Sequence, residues 1–404
     1  MININYKRKE DTPMNGFKLN QLWANVNDYF KDWEKEAFAE PGRRMLKSLL
    51  ENAMKAEVLG YLKVRKYERG KLREDYRNGY YHRNLVTSLG LISRLAVPRT
   101  RKAGLQTKVF RRYKRRWKEV DDWIRGVFIA GVSTRDIGWV TKSLLNAQVS
   151  AGTVSTIAKA LDKEASLYHQ RHLKDEYIYL FLDGVVKKVV SCGKAVKKVI
   201  LVAYGIKQDG KREVIDYRVA KSESEHDWTV FLNDLYRRGL KGECLRLIIT
   251  DGGRGLLAAL DMIYPHVARQ RCWVHKLRNV MCYLPARYRD ECLKEAKLIY
   301  AASSYQEAVR RFKAWCRKWR DKVPKAVHCL EKDIEDLLIF FDQDKKLWIK
   351  VRTTNVIERL FKELRKRTRP MSLFANVGSC NRIIYALITK YNKKWEDRQY
   401  AIIK

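Results

Sequence analysis

Acidic residues are scarce in this chain of 404 residues: 46 Asp and Glu stand against 84 Lys and Arg, a formal net charge of +38. A folded body so positive repels itself unless a polyanion binds it, so nucleic acid is the first partner to consider. The sequence also lacks any run of eighteen apolar residues, which excludes a conventional membrane-spanning helix. Its basic start, Tyr6-Lys7-Arg8-Lys9, is not followed by the apolar stretch of a secretory signal. The expectation is a cytoplasmic chain with no membrane partner. The eight cysteines lie between Cys192 and Cys380 at irregular spacings with no CxxC pair, unlike a disulfide framework or a structural zinc site. Apolar residues, by contrast, make up 46% of the chain, with 11 Trp, 22 Tyr and 12 Phe, enough for real cores and too much for a disordered basic tail. The length predicts two or three domains.

Apolar positions recur at helical spacing in residues 1–60, at Leu19, Leu22, Trp23 and Val26 and again at Met45, Leu46, Leu49, Leu50 and Ala53. Two or three helices are expected there, a candidate oligomerisation element. Residues 61–118 hold nineteen Lys or Arg against three acids, interleaved with tyrosines. That charge is expected to face a DNA backbone, and the alternation from Tyr80 to Val97 around Gly90 predicts a β-hairpin. In residues 119–165, Ser133 with Asp136 resembles a capping box, a helix runs to about Leu145, and a polar break precedes a second, short helix from Ala151 or Gly152. This is helix-turn-helix spacing, in which Thr153, Ser155, Thr156 and Lys159 would read bases; a plain helical hairpin fits the pattern equally well.

From residue 176 the text turns to three strands, a helix, a strand, a helix and a strand, predicting an α/β unit with one mixed five-stranded sheet. Residues 276–349 read as helix alone, and helical text resumes at Thr353.

Two aspartates follow buried-strand text: Asp183 after Tyr177–Leu182, and Asp251 after Leu245–Thr250. Each is expected where its strand leaves the core. Both precede glycine, so either alone reads as turn chemistry. Their repetition in one α/β unit of a basic chain points instead to a pair of carboxylates whose repulsion a divalent cation relieves. Glu358, at the edge of the apolar stripe Ile357, Leu360, Phe361 and Leu364, is the candidate third acid; with Asn355 as N-cap it would be a capping-box residue instead. Glu363, Glu335 and Asp336 are alternatives. Cys272 and His275 have a separation that suits zinc, but two ligands do not make a site. Arg254, Arg271, Lys276, Arg278, Arg359, Lys362 and Arg365 are candidates to hold phosphates, and Trp228 or Trp273 to stack on a base.

Taken together, Asp183 in FLDGV, Asp251 in ITDGG, the RCWVHK segment, Glu358 in TTNVIERLFKELR, and the RNGYYHRNLVTSLGLISRLAVPRTR and GVSTRDIGWVTKSL segments resemble the IS256 or Mutator-like family of DDE transposases over roughly residues 40–395. The resemblance implies an RNase H-like catalytic core, residues 176–275 and 350–395, interrupted by an all-helical insertion at 276–349 and preceded by a mainly helical DNA-binding region. It implies a bacterial, nucleoid-associated enzyme that acts on the terminal inverted repeats of its own element and on target DNA. It places Cys272 and His275 at the active site. Two-metal chemistry would use two Mg²⁺ or Mn²⁺ ions on Asp183, Asp251 and Glu358 to cleave a strand and then join its 3′-OH end. A homodimer is expected. The rival readings are an inactive DNA-binding regulator derived from a transposase and an RNase H-like nuclease or resolvase.

Overall fold

The computed structural model describes residues 35–68, 75–102, 104–110, 113–191, 193–369 and 373–400; the helix expected around Leu19–Val26 lies outside them. The chain divides into two compact units, Met1–Ile124 with Arg135–Ser150, and Arg125–Thr134 with Ala151–Lys404.

In the first unit, helix α1 (Lys35–Leu62) packs against an antiparallel hairpin of β1 (Arg77–Thr87) and β2 (Gly90–Thr100). Its small core is Met54, Leu85, Ile92, Leu95, Val97 and Phe110. Gly90 follows the turn at a φ of +109°, a conformation that a side chain disfavours. Tyr80 and Tyr81 remain exposed on β1, and the Arg83 guanidinium lies 4.4 Å from the centre of the Phe110 ring. The basic segment thus presents cations and aromatic rings on one hairpin.

Helix α2 (Lys118–Ala130) is followed by α3 (Thr134–Leu145) and α4 (Ala151–Gln170). The second helix of the expected helix-turn-helix is therefore 20 residues long, not short. Its buried stripe, Val154, Ile157, Ala158, Leu161 and Ala165, continues well past the segment in which base-reading residues were sought, and Leu161 and Ala165 belong to the large core of the second unit. The units divide within α2, after Ile124, at the start of α3, and again between α3 and α4.

The second unit holds a five-stranded sheet of order β5-β4-β3-β6-β7: β3 (Tyr177–Ser191), β4 (Lys194–Lys207), β5 (Arg212–Ala220), β6 (Leu247–Thr250) and β7 (Arg269–Arg271). The first three form an antiparallel meander, while β6 lies parallel to β3 and β7 parallel to β6. Along β3, Tyr179 and Phe181 enter one core and Leu180 and Leu182 the other, the alternation of a strand covered on both faces. Helices α5 (Glu225–Arg237) and α6 (Arg254–Ile263) supply Trp228, Phe231, Leu256 and Leu260 to one face. Between β7 and residue 355 the described residues form only helices: α7 (Trp273–Met281), α8 (Ala286–Tyr300), α9 (Tyr305–Trp319), α10 (Pro324–Glu331), α11 (Ile334–Leu338), a 3-10 turn, and α12 (Trp348–Val351). Helices α13 (Asn355–Thr368) and α14 (Val377–Trp395) complete the unit. No helix among the described residues is long and apolar enough to cross a membrane.

Candidate active site

The parallel register of β3 and β6 ends at Leu182 opposite Thr250, so the next residues on the two strands are Asp183 and Asp251. Counting in twos from Phe181 and Ile249, both carboxylates belong to the same sheet face. Asp183 does not end its strand, as the sequence suggested: it pairs with Val202 and β3 runs on to Ser191. What ends there is its neighbour β6, which opens a gap beside a strand that continues. The expected turn chemistry is present at Asp251, whose Oδ1 accepts from the Gly253 amide at 2.9 Å. Gly252 has a φ of +83°, and its bare α-carbon leaves room for the Arg271 guanidinium packed against it.

Asp183 is only 8% exposed. Burial, and then the charge of Asp251, push its carboxyl up to about 7, opposed by the Gly184 amide bonded to its Oδ1 at 2.8 Å. A buried carboxylate facing another carboxylate is the donor chemistry that a divalent cation satisfies, so these residues fit a metal. Among the described residues, however, no three His, Cys, Asp or Glu side chains are gathered closely enough to hold one.

The stability consequence is direct. The folded chain keeps the Asp183 proton until about pH 7, whereas an ordinary aspartate loses it near 3.8, so stability falls as pH rises between those values. At pH 8 the penalty is on the order of 2–4 kcal/mol. Asp183→Asn should therefore raise the melting temperature of the metal-free protein by several degrees at pH 8, the gain shrinking as pH falls and vanishing below pH 4. Thermal melts in chelator across that range test this; an unchanged or lowered melting temperature at pH 8 would contradict it.

Cys272 is the N-cap of α7, and His275 lies in the first turn of that helix. The Cys272 amide donates to Thr250 O at 2.7 Å, which ties the start of α7 to the end of β6 beside Asp251. The Cys272 thiol is fully buried and accepts from the amide and hydroxyl of Thr354, each at 3.3 Å. Burial pushes that thiol up, but hydrogen bonds from His275 and Thr354 together outweigh it and hold the thiol below its ordinary value. His275 is held above its own value, first by its hydrogen bond to Cys272 and then, against burial, by the charges of Cys272, Asp183 and Asp251. Its Nε2 lies 3.7 Å from Glu358 Oε1, and Arg278 Nη1 donates to the same oxygen at 3.0 Å. His275 thus stands between the aspartate pair and Glu358.

Glu358 is not the capping residue that its position in α13 allowed. The N-cap is Thr354, not Asn355, and it forms no side-chain cap bond; the Glu358 carboxylate turns to Arg278 and His275 instead. Of the alternative acids, Glu363 is occupied with Lys366 and the Tyr391 hydroxyl.

A fourth carboxylate carries no signal in the sequence. A Cβ at Gly184 would lie 2.5 Å from Glu223 Oε1, so the Glu223 side chain rests against the residue after Asp183. Burial, followed by the charge of Asp251, raises its pKa. Glu223 sits in the charged turn KSESEHD, where nothing but its place ahead of α5 distinguishes it from a solvated loop.

The expected phosphate-holding residues divide. Arg254, Arg359 and Lys362 are exposed, Arg278 is exposed but paired with Glu358, and Arg365 is half-buried. Lys276 is 3% exposed and its ammonium is bonded to Asp333, which also takes Arg271 Nη1 at 2.8 Å. These two cations therefore brace α11 and do not present free charge to a ligand. Trp228 and Trp273 are buried, the second with its indole N–H donating to Leu337 O at 2.6 Å, so neither is placed to stack on a base. On α4, Thr156 and Lys159 are exposed and Thr153 and Ser155 half-buried.

Residues 21–398 match the family model described as "Transposase, Mutator family". The transposase for insertion sequence element ISRM5 of Rhizobium meliloti is 34% identical over 87% of this chain and 88% of its own length. That for IS406 of Burkholderia multivorans is 35% identical over 87% and 90%. That for IS256 in transposon Tn4001 of Staphylococcus aureus is 31% identical over 87% and 90%. With a family match that spans both units and relatives aligned over nearly their whole length, the chain belongs to the Mutator family of transposases.

Proposed function

We propose that this transposase binds the terminal inverted repeats of its own insertion sequence, cleaves a DNA strand there and transfers the 3′-OH end to target DNA. The observation that carries the reading is the buried Asp183 beside Asp251 at the gap where β6 stops, with His275 and Glu358 on the same side. The strand order, an antiparallel meander continued by two parallel strands, supports an RNase H-like core. The uninterrupted helices from α7 to α12 support an inserted helical domain at 276–349 within it.

Asp183, Asp251 and Glu358 would hold two Mg²⁺ or Mn²⁺ ions, which supply Lewis-acid activation of the attacking hydroxyl and stabilisation of the leaving 3′ oxygen. The chain's own residues do the rest. His275 keeps a proton beside Glu358 and orients that carboxylate. Arg254, Arg278, Arg359, Lys362 and Arg365 bind the phosphates that flank the scissile one; Arg278 exchanges Glu358 for DNA when substrate arrives. A homodimer would bring the two ends of the element together.

Incubating the full chain with a labelled duplex of its element end, a target plasmid and Mg²⁺ tests the reading. Cleavage followed by joined product supports it. Cleavage without joining would favour a nuclease or resolvase, and binding without either step a regulator.

Sequence reading is assigned to α4. Lys159→Ala should reduce the preference for end DNA over random DNA by about five- to tenfold, because Lys159 lies on the exposed face of that helix. Lys63→Ala, an exposed cation of the basic segment, should weaken both DNAs alike and lower the salt slope by about one contact. Competition binding at two salt concentrations separates them; equal loss of preference in both variants would move recognition away from α4.

A further inference from the structure

We propose that Lys187, Lys198, Arg365 and Arg369 form a phosphate subsite that grips the DNA backbone within about four nucleotides of the scissile phosphate. This deepens the reading above and rests on it for the place of the scissile phosphate. Strand β3 runs on for eight residues past Asp183, and in steps of two it puts Val185, Lys187 and Val189 on the face of that aspartate. Val185 and Val189 lie in the core there, and the lysine between them is half-buried. Directly opposite Lys187 on β4 is Lys198, on the same face as Ile200 and Val202. Like charges so placed oppose strand pairing. The third wall is α13. The Lys187 ammonium donates to Thr368 Oγ1 at 2.7 Å, and Arg365 neighbours both Thr368 and Arg369 at a spacing of three and four residues on that helix.

Burial, and then the charge of Arg365, hold the Lys187 ammonium below its ordinary value; Cys380 opposes this and Arg369 adds to it. Cations gathered in this way call for an anion. Among the described residues no ion pair joins any of the four to a carboxylate, and Glu363, the acid beside them on α13, is taken by Lys366 and the Tyr391 hydroxyl. Position makes that anion a phosphodiester. Lys187 lies four residues beyond Asp183 along β3, about 13 Å, and Arg365 lies seven residues beyond Glu358 along α13, about 10 Å. A strand and a helix that each carry an active-site acid thus bring their cations to one point, a similar step away from the reacting centre. At about 3.4 Å of duplex axis per nucleotide, that step spans roughly three or four nucleotides.

The test uses the full chain and end DNA. Lys187→Gln should weaken binding about three- to tenfold and lower the salt slope by about one contact. Arg369→Gln should do the same, and at its exposed position it carries the test should Lys187→Gln fail to fold. Lys318→Gln is the control: that lysine of α9 is paired with Glu291 and Glu295 of α8, and its loss should leave affinity and slope alone. Duplexes in which one phosphate at a time is replaced by an uncharged methylphosphonate then locate the contact by binding without metal. One replacement should weaken the parent and have no further effect on Lys187→Gln, and the cut made in Mg²⁺ should map within about four nucleotides of it. Affinity and slope in Lys187→Gln and Arg369→Gln no different from those of Lys318→Gln would overturn the subsite. The same replacement profile in the parent and in Lys187→Gln, or a contact farther from the cut than that, would also overturn it. A contact phosphate found on a duplex that the parent never cuts would instead remove the active-site reading and leave the phosphate grip standing.

Discussion

Asp183→Asn, Asp251→Asn and Glu358→Gln are each expected to lower strand cleavage by on the order of 10³-fold or more while leaving affinity for end DNA within about twofold. The amide isosteres keep size and hydrogen-bonding capacity but remove the charge that holds a divalent cation. Folding should survive: Asp183 is more costly to the metal-free fold ionised than neutral, and Glu358 is partly exposed. Glu363→Gln is the control, because that carboxylate serves Lys366 and Tyr391 and lies outside the cluster. Glu223→Gln is the informative fourth variant. Should it match the loss at Asp183 while Glu358→Gln cleaves normally, the third ligand is Glu223 and the assignment to α13 is wrong. Gel assays of cleavage beside filter binding on the same preparations decide it.

The aspartate pair was legible because apolar text on both sides of a strand is rare and stops visibly at a charged residue. The strands, the hairpin at Gly90 and the helical run after His275 followed from the same periodicities. Three features were not legible, each for a physical reason. The place of Asp183 within its strand depends on β6 being four residues long beside a strand of fifteen, and pairing lengths are a property of neighbours. The length of α4 depends on Leu161 and Ala165 finding a core built by β3 and α14, far along the chain. The fate of cations is likewise tertiary: Lys276 and Arg271 read like surface charge, and the arrival of Asp333 from the start of α11 explains why the first is buried and the second half-buried. Glu223 and Thr354 combine both problems, since a charged turn and an N-cap carry no local mark of what they will face.

His275→Ala should reduce cleavage and joining by about 100-fold with a change in melting temperature of no more than about a degree or two, whereas Cys272→Ser should be milder. A structural zinc on the pair predicts the opposite order of effects, because metal bound at a folding site contributes to stability and its loss unfolds the protein. The surroundings favour the first outcome. The partners of Cys272 Sγ are the Thr354 amide and hydroxyl with His275, and His275 in turn faces Glu358, Asp183 and Asp251; no third Cys or His joins them among the described residues. An imidazole there neutralises part of the acidic cluster and holds Glu358, so removing it exposes carboxylates to one another at the reacting centre while the core around Trp273 stays filled. A thiol-to-hydroxyl change in a fully buried space keeps the hydrogen bond from Thr354 and costs only size and polarisability. Elemental analysis tests the same point independently: about one zinc per chain in purified protein, lost together with the folded state in His275→Ala, would overturn the active-site assignment of this pair.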